Sequence, residues 1–300
     1  MDFSLISSGM YISPNDITAF EEQDIETVLA DELADSEDRY EPTSYPTAVL
    51  LAGQPGAGKT ELASAMSGML DDNAFFINAD EYRRRHPNYR AIYEHYGADA
   101  VRITSAFSAA VTERLIKALS SRQFNLIIEG TGRTVEVPKR TAELLSSKDY
   151  RVELAVLAVR PEVSLTSTLL RFYQMNEIGT IPRATAIASH DVVIKSLPDN
   201  LNALCAEPAI SRLTIWNREL QRLYDSTLDS IAPSVVLTQL WNSPWSAEEL
   251  RKTEETIRLL RQMEAVSQLG QSEVIDELER RVSAVELEEL QIKGFDITMH

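Results

Sequence analysis

The chain has 300 residues, of which 44% are hydrophobic and 25% are charged, a composition typical of a globular protein. Its formal net charge of −17 leaves no basic surface for a phosphate backbone, so a nucleic acid is not an expected partner. No uninterrupted apolar run approaches the roughly 20 residues that cross a bilayer, and we expect a cytoplasmic protein without a membrane partner. The single cysteine, Cys205, excludes an intramolecular disulfide and is expected to be a buried, inert thiol.

The negative charge is concentrated at the start of the chain. Residues 1–44 hold twelve Asp and Glu residues against the single Arg39. A serine followed by proline at Ser13-Pro14 is typical of a helix start, and a loose apolar stripe then predicts a helix over about 14–36. These features predict an acidic N-terminal helical arm.

After this arm, short apolar runs alternate with helical patterns. The apolar runs, which are typical of strands buried on both faces, cover 48–51, 74–78, 125–129, 152–159 and 213–216. The helical patterns cover 59–70, 98–121, 138–147, 161–176 and 185–196. This alternation predicts an α/β fold with a parallel sheet and helices on both faces, and a ligand site beyond the carboxyl ends of the strands.

The last part of the chain has a helical pattern without strands. Ser246 and Glu249 match a capping box, and Gly270 is a stop signal. Apolar residues then continue at helical spacing from Val274 to Val285. This pattern predicts a helical hairpin appended to the α/β body.

A glycine-rich segment follows the first predicted strand and satisfies the P-loop pattern. Its glycines let the backbone turn amides toward phosphate oxygens, and the next helix adds its positive end. Lys59 is expected to reach the β- and γ-phosphates, and Thr60 to place its hydroxyl on Mg²⁺. The sequence thus predicts a site for a magnesium-bound nucleoside triphosphate formed by Gly53, Gln54, Pro55, Gly56, Ala57, Gly58, Lys59 and Thr60.

Polar residues also follow the next three strands. Asp80 is expected beside the γ-phosphate, where a carboxylate can accept a proton or hold a magnesium-bound water; alternatively it is a helix N-cap. The loop 129–134, Glu-Gly-Thr-Gly-Arg-Thr, suits phosphate or sugar hydroxyls, or is an ordinary polar turn. Arg171 and Arg183 could clamp a phosphoryl group in transfer, although single surface arginines are common.

In this order the motifs resemble the zeta toxin family of bacterial toxin–antitoxin systems, P-loop kinases that phosphorylate UDP-N-acetylglucosamine. The resemblance covers about 15–225. The P-loop alone is shared by many kinases, but its combination with the other segments is specific. The matching segments are GQPGAGKT at 53–60, Asp80, HPN at 86–88, Thr112-Glu113, EGTGRT at 129–134, Val137-Pro138, Arg171, Tyr173, RAT at 183–185, His190-Asp191, Leu197-Pro198 and Asn217-Arg218-Glu219.

The resemblance implies roles in phosphoryl transfer for five residues. Lys59 and Thr60 match the ligands of the ATP phosphates and of Mg²⁺. Asp80 matches the general base for the sugar 3′-hydroxyl. Arg171 and Arg183 match arginines that contact the ATP phosphates and stabilise the transferred group.

The resemblance also implies a substrate site and shows one departure. Glu113, Thr131 and Arg133 match residues that hold the UDP-sugar. Where the family often has a carboxylate two residues before its base, this chain has Asn78. This asparagine lowers the local negative charge and could alter metal binding or the basicity of Asp80.

The expected organisation is an acidic arm over 1–44, a P-loop kinase domain over 45–240 and a helical extension over 241–300. The expected activity is that of a toxin that blocks cell-wall precursor synthesis and has a small antitoxin protein as partner. The arm or the extension could supply part of the antitoxin contact in cis; the simpler interpretation of the arm is a solvated acidic helix. Two alternative functions stay open: a kinase for another UDP-sugar or a hydroxylated antibiotic, and a nucleotide-binding module that transfers nothing.

Overall fold

The computed structural model describes residues 17–181 and 185–297, with only the backbone described at residue 98 and over 286–297. The described residues form two compact units. One contains 17–38 and 78–118, and the other contains 39–77 and the residues from 119 onward. Ser13 and Pro14, which predict the start of the first helix, lie outside the described residues. The three-part organisation inferred from the sequence stays a prediction.

Twelve helices and six strands follow one another within the described ranges, together with 3₁₀ turns at Arg83–Arg85 and Gly97–Asp99. The helices are α1 (Glu22–Arg39), α2 (Lys59–Gly68), α3 (Ala79–Tyr82), α4 (Tyr89–Tyr96), α5 (Ala100–Ile103), α6 (Ser105–Ser121), α7 (Glu136–Ser146), α8 (Pro161–Glu177), α9 (Ile187–Cys205), α10 (Pro233–Asn242), α11 (Ala247–Ser267) and α12 (Ser272–Ile297). The strands are β1 (Thr47–Ala52), β2 (Phe75–Ile77), β3 (Leu126–Glu129), β4 (Arg151–Leu157), β5 (Arg212–Trp216) and β6 (Arg222–Asp225). No helix in these ranges is long and apolar enough to cross a membrane.

The second unit is built on one sheet with the strand order β2-β3-β1-β4-β5-β6. The first five strands pair in parallel, which confirms the predicted parallel sheet. All six residues of β1 are buried, as expected for a central strand covered on both faces. On one face, Leu62 and Met66 of α2 pack against Val49 and Leu51 of β1. This packing fixes the position of the loop between β1 and α2.

The hydrophobic pattern did not predict β6, which pairs antiparallel with β5 at the sheet edge. A tight turn joins the two strands, and in it the Leu220 backbone has a φ of 58°. Asp225 of β6 is buried and accepts a hydrogen bond of 2.5 Å from Arg212 of β5. A four-residue strand that depends on an ion pair carries no apolar run that a sequence pattern could detect.

Several predicted helices have different bounds or divisions in the structure. The pattern over 98–121 is divided at Thr104, whose hydroxyl bonds to the Ala100 carbonyl at 2.7 Å. The helix predicted to end at residue 196 continues through Pro198 to Cys205, because Leu197 and Leu201 are fully buried on either side of the proline. Cys205 is half-buried rather than buried, because it lies at the exposed end of this helix. Helices α4 and α10 were not predicted.

The predicted C-terminal hairpin is formed by α11 and α12. The Ser246 hydroxyl accepts a hydrogen bond of 3.1 Å from the Glu249 amide, which confirms the cap of α11. At the turn, the buried Glu264 carboxylate accepts the amide of Gln271 at 2.9 Å and the hydroxyl of Tyr173, on α8, at 2.8 Å. One carboxylate therefore shapes the hairpin turn and ties it to α8.

Apolar packing also joins the hairpin to α8. The shared core contains Leu165 and Leu169 of α8, Leu260 of α11, and Ile275 and Leu278 of α12, all buried. Burial of this many aliphatic side chains gives the hairpin a hydrophobic core in common with the helix that follows β4. The tail is therefore part of the second unit.

In the first unit, the acidic helix α1 packs through Ile25 and Val28, which are 4% and 2% exposed. Its acidic side chains face arginines of the same unit. The Arg114 guanidinium binds both Glu22 and Glu26 of α1. The arm is therefore a helix with one apolar face and an acidic face that arginine side chains partly neutralise.

The packing of the hairpin on α8 predicts that substitutions of two adjacent leucines of α11 change the free energy of unfolding by very different amounts. Leu260 is 0% exposed and Leu259 is 43% exposed. Leu260→Ala is expected to lower the free energy of unfolding by about 2–5 kcal/mol through a cavity, and the matched control Leu259→Ala by less than about 1 kcal/mol. Urea unfolding followed by circular dichroism measures both. Equal effects would mean that the hairpin does not pack as described.

Candidate active site

The segment between β1 and α2 forms a cradle of left-handed backbone. Gly53, Gly56 and Gly58 have φ values of 140°, 77° and 102°, which side chains other than hydrogen rarely allow. Gly58 is the N-cap of α2, and no side chain caps this helix end. The Glu61 amide of the first turn donates to the Gly58 carbonyl at 3.1 Å. Such an end attracts an anion, because the helix dipole adds positive charge there.

One glycine of the cradle is required by packing as well as by its φ angle. A Cβ atom at Gly56 would lie 2.0 Å from the Ser164 carbonyl oxygen and 2.7 Å from Cγ2 of Thr168, both on α8. The carbonyl belongs to the backbone and cannot move away as a flexible side chain can. The first turns of α8 are therefore the wall against which the cradle rests.

Lys59 is folded onto the cradle. Its ammonium group donates to the carbonyl oxygens of Gly53 at 3.0 Å and Gln54 at 3.3 Å. It also lies 3.6 Å from the Glu129 carboxylate at the end of β3, and the lysine is only 8% exposed. This ion pair was not predicted. A carboxylate that ends the strand next to β1 is the signal that could have indicated it.

A second P-loop side chain is tied to the strand end of β4. The buried Gln54 amide donates to the Val159 carbonyl, which also accepts the Trp241 indole N–H at 2.9 Å. Nothing in the sequence pattern indicated a structural role for Gln54. The connection links the cradle to α10 through a single carbonyl group.

The loop 129–134 lies against the cradle. The Gly53 amide donates to the Thr131 carbonyl at 3.3 Å, so the two loops are hydrogen-bonded. Residues of α9 hold the other side, since Asn200 donates to the Gly132 carbonyl at 2.9 Å and Ser196 to the Arg133 carbonyl at 3.1 Å. Thr131 is partly exposed and Arg133 is exposed, so the predicted substrate residues sit on a loop fixed through its backbone.

Arg171 lies on the face of α8 that meets the cradle. Residues 164, 168 and 171 follow the i, i+4, i+7 spacing of one helix face, and the first two contact the cradle. Arg171 is exposed two turns from Ser164. The spacing places Arg171 on the same helix face as Ser164 and Thr168, and its role at the phosphate-binding loop stays a prediction. Arg183 lies outside the described residues.

Asp80 and Glu113 belong to the first unit. Asn78 is the N-cap of α3, and its side chain accepts the Asp80 amide at 3.0 Å. The alternative interpretation of Asp80 as the N-cap is therefore wrong. Its carboxylate instead accepts from Arg83 Nε at 2.9 Å and is half exposed.

Helices α5 and α6 support the Asp80 segment from within the same unit. The Ser108 hydroxyl donates to the Ala79 carbonyl at 2.5 Å, and the Arg83 guanidinium donates to the Val101 carbonyl at 2.6 Å. Glu113 is exposed on α6, beyond Ser108. The position of Asp80 relative to Lys59 stays a prediction.

A cavity of about 700 Å³ lies in the second unit beyond the carboxyl ends of β4 and β5. Its lining includes Val159, Val163, Arg218, Glu219 and Lys252. Val159 forms part of the cavity wall, and its carbonyl accepts the hydrogen bond from the Gln54 amide. Parallel α/β sheets bind ligands at this edge, and the volume is in the range of small-molecule sites.

A parallel sheet whose central strand leads through a glycine cradle into a helix that starts with a buried lysine defines a P-loop nucleotide-binding fold. A family model described as Zeta toxin matches residues 30–229. The chain is 38% identical over 208 residues to Toxin PezT of Streptococcus pneumoniae, covering 69% of this chain and 82% of that protein. It is 39% identical over 214 residues to Toxin zeta of Streptococcus agalactiae, covering 71% and 75%. The chain belongs to the zeta toxin family.

Solved structures agree with this assignment. A structure from the PezAT chromosomal toxin–antitoxin system of Streptococcus pneumoniae matches with a TM-score of 0.74 and 33% identity, over 82% of this chain and 99% of that chain. A structure of the AvrRxo1-ORF1:ORF2 complex matches with a TM-score of 0.54 and 13% identity, over 87% of each chain, which shows a common fold alone. The family match ends at residue 229, so the hairpin lies beyond it.

The contact of Gly56 with α8 predicts that this glycine tolerates no side chain. Gly56→Ala is expected to destabilise the protein and to weaken binding of a fluorescent ATP analogue at least about tenfold, because the loop must move off Ser164. Gly68→Ala is the matched control, since a Cβ atom there meets nothing within 4 Å. Equal nucleotide affinity in the two variants would contradict the described geometry.

Proposed function

We propose that the protein is a kinase that transfers the γ-phosphoryl group of ATP to the 3′-hydroxyl of the sugar of UDP-N-acetylglucosamine. The observation that carries the proposal is the buried Lys59, held by two cradle carbonyls and Glu129 in a chain of the zeta toxin family. Because Lys59 is already held in place, it loses little conformational freedom when a triphosphate binds.

The donor set fits a magnesium-bound triphosphate. The positive N-terminal end of α2 suits phosphate oxygens, and a hydroxyl in the first helical turn suits Mg²⁺. Lys59 would hold the phosphates and Thr60 would hold the metal ion. Mg²⁺, when bound, neutralises charge on the β- and γ-phosphoryl groups. We propose that the cavity beyond β4 and β5 holds the nucleoside part of ATP.

The chemistry proposed for the chain is an in-line displacement at the γ-phosphorus. The sugar oxygen forms the new bond to phosphorus, the bond to the β,γ-bridging oxygen breaks, and ADP leaves with that electron pair. Asp80 accepts the proton of the sugar hydroxyl. Arg171 and Arg183 stabilise the charge on the transferred group. Positioning and electrostatics supply most of the acceleration.

We propose that Thr131, Arg133 and Glu113 hold the acceptor. Thr131 and Arg133 are on the loop bonded to the cradle, and Glu113 is exposed on α6. Arginine and hydroxyl groups suit a diphosphate, and a carboxylate suits sugar hydroxyls. These groups support a UDP-sugar over an uncharged acceptor such as a hydroxylated antibiotic.

A protein partner is also proposed. The similar structure with a TM-score of 0.74 comes from a toxin–antitoxin system. By analogy, we propose that a small antitoxin protein binds this chain and inhibits a toxin that blocks cell-wall precursor synthesis in the cytoplasm. The acidic helix α1 already pairs with Arg114 and Arg85 of its own unit. Those pairs support the simpler interpretation of the arm as a solvated acidic helix.

The decisive test of function is to identify the reaction product. The protein is incubated with Mg·ATP and a panel of acceptors, and mass spectrometry detects a gain of one phosphoryl group. We expect phosphorylation of UDP-N-acetylglucosamine at the 3′-position. Phosphorylation of another panel member instead would assign a different acceptor. ATP binding without any product would favour the module that transfers nothing.

Asp80 is predicted to act as the general base. Asp80→Asn keeps the shape of the side chain and removes its basicity, so kcat is expected to fall about 10²- to 10⁴-fold. Glu81→Gln, an exposed neighbour on the same short helix, is the matched control and should retain the wild-type kcat. Steady-state assays of ADP release compare the two. A wild-type rate in Asp80→Asn would remove Asp80 from this role.

Lys59 is predicted to be required for toxicity. Lys59→Ala removes the charge that holds the phosphates, so transfer and growth arrest on expression are both expected to be lost. Lys195→Ala, which removes an exposed lysine of α9, should leave both unchanged. Culture growth after induction is the readout. Growth arrest by Lys59→Ala at the wild-type level would indicate a poison that is not a kinase.

A further inference from the structure

A row of polar side chains, buried at its inner end, runs from the C-terminal hairpin toward the wall of the cradle. The Arg281 guanidinium of α12 binds both oxygens of Asp191, at 2.8 Å and 2.7 Å. Asp191 lies 3.5 Å from Nδ1 of His190, and Nε2 of His190 lies 2.8 Å from the Ser164 hydroxyl. Three helices, α12, α9 and α8, are connected in sequence by these contacts.

The row ends at the backbone that supports the phosphate-binding loop. Ser164 contributes its side chain to His190 and its carbonyl to the contact with Gly56. His190 and Ser164 are both 0% exposed, so a displaced partner cannot be replaced freely by water. A shift of His190 would therefore move the first turn of α8, and with it the wall of the cradle.

The serine, histidine and aspartate resemble a catalytic triad in order, but they cannot act as one. Both Ser164 and His190 are enclosed between helices, where a substrate cannot reach the hydroxyl group. Burial lowers the pKa of His190, which keeps the ring neutral at pH 7. Hydrogen bonds from Arg281 lower the pKa of Asp191, which keeps that carboxylate charged. The row therefore contains a neutral histidine beside a charged aspartate, and we interpret its role as structural.

We propose that Arg281 is a positioning residue that holds the phosphate-binding loop in its nucleotide-binding geometry through Asp191, His190 and Ser164. The hairpin that supplies Arg281 lies beyond the residues that match the family model. The expected effect of Arg281 on nucleotide affinity rests on the proposed ATP site. The expected effect of Arg281 on the loop does not. A planar arginine fork that grips both oxygens of a carboxylate fixes orientation as well as distance, which suits this role.

The test compares Arg281→Met with two other variants. Arg281→Met keeps the length of the side chain and removes the fork, and Arg281→Lys keeps one charge without bidentate geometry. Arg261→Met is the matched control, because Arg261 joins α11 to Asp276 and Glu279 of α12 without touching Asp191. Thermal melting of each variant confirms that the chain is folded.

Hydrogen–deuterium exchange of the peptide containing 53–60, measured without nucleotide, reports on the loop directly. We expect Arg281→Met to speed exchange there about three- to tenfold, Arg281→Lys to have a smaller effect, and Arg261→Met to have none. ATP affinity should weaken by a similar factor, with kcat at saturating ATP within about twofold of wild type. Unchanged exchange in Arg281→Met, or an equal increase in Arg261→Met, would overturn the inference.

A double-mutant cycle tests the route. Ser164→Ala removes the hydroxyl at the far end of the row, so its effect on exchange should not add to that of Arg281→Met. Full additivity would show that Arg281 acts by another path and would overturn the proposed route. If the wild-type chain binds no ATP at all, the proposed function fails, but the exchange measurements still decide on the positioning role of Arg281.

Discussion

The site depends on one steric constraint, the contact between the backbone of the phosphate-binding loop and the first turns of α8. The Ser164 carbonyl occupies the space where a side chain at Gly56 would be. The conformation of the loop is therefore restricted by its packing against α8 as well as by its own glycines. Because Lys59 and Thr131 are both bonded to the cradle backbone, their positions also depend on this contact.

The division of roles between Asn78 and Asp80 follows from capping chemistry. The start of α3 needs one side-chain acceptor, and Asn78 provides it without a charge. Asp80 is thereby released from capping and points its carboxylate toward Arg83 instead. Capping is thus a local structural role of Asn78.

The sequence predicted the parts that rest on local patterns. The buried strands, the P-loop and the hairpin each have a periodicity or motif within one segment, and all were recognised. The antiparallel β6 depends on its ion pair with Arg212, and the continuation of α9 past Pro198 depends on the burial of its own Leu197 and Leu201 in the tertiary structure. The ion pair of Lys59 with Glu129 was missed for the same reason, since it joins the start of α2 to the end of β3, far apart in the chain.

Helix α8 is shared between the site and the tail. One face carries Ser164 and Thr168 against the cradle, and the adjacent face carries Leu165 and Leu169 into the core with the hairpin. A helix packed firmly on two sides cannot yield to one neighbour without disturbing the other, because protein interiors leave few voids. The hairpin beyond the family match and the phosphate-binding loop thus pack on the same helix.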